Sequence, residues 1–156
     1  MKNKVRVYKV EILNIYSDKT TSHEVKYAER AADIGYLITK LKAIHGGEFN
    51  FGIEDCYVSK NPRTAILISR FSGSIASPVE ATYGIGACWV TASNWRKAVI
   101  NVKHFTKREE CKRLSLELVP KLVKNMDIVE LNLGVHDHLT DAAGIALYAK
   151  QKRLAL

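Results

Sequence analysis

No continuous hydrophobic stretch in this chain of 156 residues is long enough to span a bilayer. Nothing at its start resembles a secretory signal. Cysteine is scarce. Cys56, Cys88 and Cys111 form no CxxC pair and no zinc knuckle, and an odd number of thiols without an export signal fits a reducing compartment. Each cysteine reads as a small core or helix residue. No Walker A segment and no glycine-rich dinucleotide fingerprint are present, which sets aside those two modes of nucleotide binding. Repeats, low-complexity tracts and linkers are also missing. One domain over residues 1–156 with its own core is therefore the expectation.

Acidic residues are outnumbered. Lys and Arg total 24 against 16 Asp and Glu, giving a formal charge of +8. Such a surface can serve solubility alone. The cations recur in clusters, however: Lys2-Lys4-Arg6-Lys9, Lys60-Arg63-Arg70, Arg96-Lys97-Lys103, Lys107-Arg108-Lys112-Arg113 and Lys150-Lys152-Arg153. Clustered positive charge favours a nucleic-acid partner and salt-sensitive affinity. An anionic membrane surface is the other partner class that such charge allows, but without a spanning run no membrane partner is expected, and the location expected is cytoplasmic or nucleoid-associated.

Hydrophobic periodicity alternates between strand and helix. The β-branched run Val5–Ile15 reads as a strand and 17–22 as a loop. The stretch from Glu24 to Ile44 reads as a helix with Ala28, Ala31, Ala32, Ile34, Leu37, Ile38 and Leu41 on its apolar face, stopped at His45-Gly46-Gly47. Phe49–Tyr57 reads as a strand. Asn61 and Pro62 then open a second helix, in which Gly73 permits a close approach and Pro78 marks an interruption. Gly84–Val90 reads as a strand, with Thr91 or Ser93 capping a short turn through Trp95–Val99. Thr106 and Glu109 form a capping-box pattern before a third helix that Pro120 bends. Thr140 is placed near the start of a last helix. This order fits an α/β fold, a sheet with helices on both faces.

Two acidic segments stand out against the basic background. The first is Phe51-Gly52-Ile53-Glu54-Asp55-Cys56-Tyr57, followed by Val58-Ser59-Lys60-Asn61-Pro62-Arg63. The second is His136-Asp137-His138-Leu139-Thr140-Asp141-Ala142-Ala143, in which Asp137 stands one turn before Asp141 and reads either as a stand-in acid or as part of a polar loop. In that order, with Val90–Lys97 and Thr106–Glu110 between them, they resemble the active-site regions of RuvC-type Holliday-junction resolvases over roughly residues 24–150. The resemblance implies an RNase H-like mixed sheet and a homodimer on branched DNA, with four-way junctions as substrate. It also implies Mg2+, with Mn2+ as the other candidate, and paired phosphodiester hydrolysis leaving 5′-phosphate and 3′-hydroxyl ends.

Glu54, at a strand end, is the first candidate metal ligand and catalytic carboxylate. Asp141 is the second. His138, three residues earlier and on the same helical face, serves as a ligand or proton relay, and a histidine ligand shifts preference toward Mn2+. The family's N-terminal aspartate has no counterpart in an Ile-Asp-Pro or Ile-Asp-Gly segment. Glu11 is the nearest strand carboxylate to complete the metal set, and Asp18 falls in a loop. Lys107 matches the position of a basic residue that stabilises charge on the cleaved phosphate. Tyr57 matches an aromatic near the junction crossover. Lys60, Arg63, Arg70, Trp95, Arg96, Lys97, Arg108 and Lys112 are the remaining candidates for nucleic-acid contact, the cations holding backbone. Two alternatives carry weight. One is a relative that binds junctions or other nucleic acid without cleaving. The other is a different RNase H-like nuclease. A purely structural interaction protein is the third class.

Overall fold

The computed structural model describes residues 5–6, 22–46, 48–55, 61–124 and 133–154. About three quarters of the described residues are helical. The elements run β1 (Val5–Arg6), α1 (His23–His45), β2 (Gly52–Glu54), α2 (Pro62–Tyr83), β3 (Cys88–Val90), α3 (Ala92–Ile100), α4 (Arg108–Leu122), β4 (Val123–Lys124) and α5 (Leu133–Leu154). The chain divides into two compact units: Met1–Val10 with Trp89–Leu156, and Glu11–Cys88.

The described residues do not form the expected RNase H-like mixed sheet with helices on both faces; they are mostly helical, with strands paired only in twos. The described strands are two or three residues long, far below the usual five or six. β1 pairs with β4 in parallel, Val5 opposite Val123 and Arg6 opposite Lys124. β2 meets only a short partner, where the Cys88 amide donates to the Phe51 carbonyl at 2.7 Å. Part of the expected Gly84–Val90 strand is spent ending a helix. Gly84 takes a left-handed conformation (φ 63°) as the cap of α2, and its amide donates to the Glu80 carbonyl at 2.8 Å. The Glu80 carboxylate then accepts the Ala87 amide at 2.7 Å.

In the unit containing α1 and α2, the two helices pack on each other. α2 buries one stripe, Ala65, Ser72, Ile75, Ala76 and Val79, as 3.6-residue periodicity requires. Asn61 caps it, its side chain accepting the Thr64 amide at 3.3 Å. Pro78 does not interrupt the helix, which continues to Tyr83. A Cβ at Gly73 would meet nothing within 4 Å, so the close approach expected there is not made. On α1 only Tyr27 among the described side chains is buried, packing at 5.2 Å against Phe71. The Tyr83 hydroxyl is hydrogen-bonded to Thr39 at 2.8 Å. The Tyr83 ring lies 4.9 Å from Phe49 and 4.6 Å beneath the Lys42 ammonium.

The other unit holds the main hydrophobic cluster: Val90, Trp95, Ile100, Val102, Val119, Val123, Leu139, Ile145 and Leu147. Each aliphatic member contributes about 1.5–3 kcal/mol through burial. α3 begins at the Thr91 cap, whose hydroxyl accepts the Asn94 amide at 3.3 Å. It ends at Asn101, left-handed at φ 55°, a conformation that asparagine tolerates better than most residues. α4 begins one residue later than the capping-box pattern implied. Lys107 is its N-cap and makes no side-chain cap bond. Pro120 lies inside α4 without ending it. α5 starts at Leu133, so Thr140 is a buried mid-helix residue instead of lying near the helix start.

Candidate nucleic-acid interface

The Asp141-Ala142-Ala143-Gly144 segment has a packing role. Asp141 and Gly144, three residues apart, share a face of α5 and meet the consecutive pair Trp95-Arg96 of α3. The Arg96 guanidinium donates to Asp141 Oδ1 at 2.8 Å, with the two side chains only 15% and 21% exposed. Gly144 is seated on the Trp95 indole. A Cβ there would fall onto ring atoms Cε3 and Cζ3 and within 2.8 Å of Cδ2. Trp95 is fully buried, so it offers no surface to nucleic acid. Arg96, which also lies 5.3 Å from the Trp95 ring centre, is held inward by its aspartate. The carboxylate expected to hold a metal is thus the partner of a guanidinium that joins two helices.

Glu54 and Asp55 are exposed at the end of β2, in the α1–α2 unit. His138 is exposed on α5, in the other unit. Among the described residues no three His, Cys, Asp or Glu side chains converge as a metal site requires. Glu11, Tyr57 and Lys60 lie outside the described residues. Arg63 and Arg70 are exposed on α2, seven residues apart and so on one face.

The helix-joining segment Asn101–Arg108 carries a different kind of site. It holds Lys103, His104, Lys107 and Arg108, all exposed, and no acid. Lys97, exposed in the last turn of α3, adds to this charge. Among the described residues no ion pair engages Lys97, Lys103, Lys107 or Arg108. Glu109, the next residue, is exposed; Glu110 is committed to Arg113 through two bonds of 2.7 and 2.8 Å. That pairing holds the Glu110 carboxyl below its ordinary range, chiefly through the hydrogen bonds from Arg113. Arg113 also reaches Glu117 at 3.0 Å, and Lys121 reaches Glu117 at 3.3 Å. Farther along α4 the cations are therefore paired with acids, whereas the connection Asn101–Arg108 leading into α4 carries cations and no acid, Glu109 following it directly. Lys112 is half-buried on the same helix.

The segment is firmly held. The Val102 side chain is in the core, and its amide donates to the Arg96 carbonyl at 3.2 Å. The Thr106 amide donates to the Lys103 carbonyl at 3.1 Å, closing a four-residue turn with His104 and Phe105 at its tip. Phe105 is 93% exposed, and its ring meets His104 edge-on at 5.3 Å. Sequence reading selected the neighbouring cations and passed over Phe105. The signal was an aromatic enclosed by Lys103, His104, Lys107 and Arg108. Its exposure depended on the turn.

Comparison with known proteins finds no matching family model, no matching curated protein and no matching solved structure.

Proposed function

We propose that this chain is a nucleic-acid-binding protein that grips phosphates through the basic segment Lys103–Arg108 and Lys97, without cleaving the strand it holds. One observation carries the reading. These four cations are exposed and none is in an ion pair with a described residue; Lys103, Lys107 and Arg108 lie on the hydrogen-bonded connection between α3 and α4, with Lys97 in the last turn of α3, in a chain of charge +8. Unpaired surface cations attract a polyanion and release its condensed counterions on contact. Non-cleavage is favoured over the metal-dependent junction hydrolysis that the resemblance implies because Asp141 is engaged by Arg96.

The test is anisotropy of labelled four-way junction, duplex and single-stranded DNA over a salt series, with the same substrates incubated with Mg2+ or Mn2+ and examined for nicks. Binding that falls steeply with salt, without nicking, is expected. Paired metal-dependent nicks in the junction would restore the resolvase reading. Salt-indifferent or absent binding would leave the basic segment as a solubility surface.

A further inference from the structure

Phe105 is the most exposed large hydrophobic side chain among the described residues. A single apolar side chain at a surface ordinarily calls for no explanation. Here its setting is specific. The turn Lys103–Thr106 holds it at the tip, Val102 roots one side of the turn in the core, and the Cys111 thiol donates to the Thr106 carbonyl at 3.5 Å on the other side. The ring stands in the basic segment, with His104 against its edge and Lys103, Lys107 and Arg108 close in sequence.

We infer that Phe105 is a stacking platform for an unpaired nucleobase, so that the ligand this surface prefers is nucleic acid with single-stranded bases. The inference rests on the nucleic-acid reading above and adds to it the residue that touches a base and the form of strand selected. An aromatic ring can stack on the π-face of any base, while cations beside it track the backbone; the combination binds single strands with little regard to sequence. In continuous duplex the base faces are covered by their neighbours, so Phe105 adds nothing there. An anionic membrane also offers phosphate and an apolar sink. Interfacial docking grows with the apolar area inserted, however, and this turn offers one ring, with Val102 buried and Thr106 polar. A single stacked base needs no more than that ring.

The experiment uses the full chain, a fluorescent oligothymidine, a blunt duplex of equal length, and an oligonucleotide carrying a fluorescent base analogue that is quenched on stacking. Phe105→Ala is expected to weaken oligothymidine binding by between about fivefold and a hundredfold. It should change duplex binding by less than about twofold and leave the salt slope intact, because no phosphate contact is removed. Phe105→Tyr should retain both affinity and quenching of the analogue, whereas Phe105→Ala should lose the quenching. An unchanged melting temperature in both variants, expected at so exposed a position, shows that folding is not the cause.

Oligothymidine binding that survives Phe105→Ala within about twofold overturns the inference while leaving the basic segment as a phosphate grip. Equal losses on single strand and duplex also overturn it. So does Phe105-dependent sedimentation with phosphatidylserine–phosphatidylcholine vesicles when oligothymidine binding is indifferent to the residue. If the wild-type chain binds neither nucleic acid in a salt-sensitive manner, the underlying functional reading fails as well.

Discussion

Gly144 and Gly35 are both helical glycines, yet their surroundings give opposite expectations for alanine. At Gly35, inside α1, a Cβ would meet nothing within 4 Å. Gly35→Ala should therefore stabilise the chain by about 0.5–1 kcal/mol through reduced backbone entropy in the unfolded state. At Gly144 the same methyl lands on the buried Trp95 ring, which has no room to yield. Overpacking of about 1–3 kcal/mol or more outweighs the helix-propensity gain, so Gly144→Ala should lower the melting temperature by several degrees. Thermal unfolding of the two variants checks the pair, and equal shifts would show that Gly144 does not seat the indole. Asp141 is argued in the same way. Asp141→Asn removes the charge facing Arg96 while leaving a similar shape, and should cost about 1–3 kcal/mol. Combined with Arg96→Met, the loss should be much less than additive. Additive losses would mean that the pair contributes no coupling.

At the scale of elements, α3 and α4 matter most, together with their connection. If Lys103, Lys107 and Arg108 each neutralise a phosphate, replacing all three by alanine should reduce the slope of log affinity against log salt by about 2–3 on duplex DNA. A slope unchanged from wild type would remove the segment from the interface. Replacing Lys112 and Arg113 serves as the control, because Arg113 is already shared between Glu110 and Glu117. That exposed network also predicts a small pH effect. The folded pKa of Glu110 is depressed below 4.5, so its contribution to stability is present above the unfolded value and is lost as pH falls through the folded one. Full exposure keeps it small. Glu110→Gln should lower the melting temperature by no more than about a degree near neutrality and by nothing in strong acid, as acid-series thermal scans would show. The caps at Asn61 and Thr91 were legible from sequence because a cap is a contact across three residues. The cap read at Thr106 does not form, because Thr106 lies in the preceding turn and Lys107 becomes the first half-helical residue.

For the whole molecule, the expectation is that millimolar Mg2+ leaves the melting temperature unchanged. A ligand stabilises a protein only in proportion to its binding to the native state, and the described acids form no group of three metal donors. A rise in melting temperature that Asp141→Asn abolishes would instead return Asp141 to a metal site. Among the described residues no helix is long and apolar enough to cross a membrane. Composition and local pattern determined the basic character, the helical stretches α1 and α4 to within a few residues, the start of α2 at Asn61-Pro62, and the glycine stop at Gly46. These features depend on summed charge or on contacts a few residues apart, which a linear reading can see. Tertiary structure alone decided that the described strands would pair only in twos, without a mixed sheet among the described residues. It also decided that Asp141 would turn to Arg96, 45 residues away in sequence, and that Trp95 would be enclosed while Phe105 stands outside. An acidic residue three places from a glycine on a helix looks the same whether it faces a metal or an arginine. Only the helix packed against it distinguishes the two.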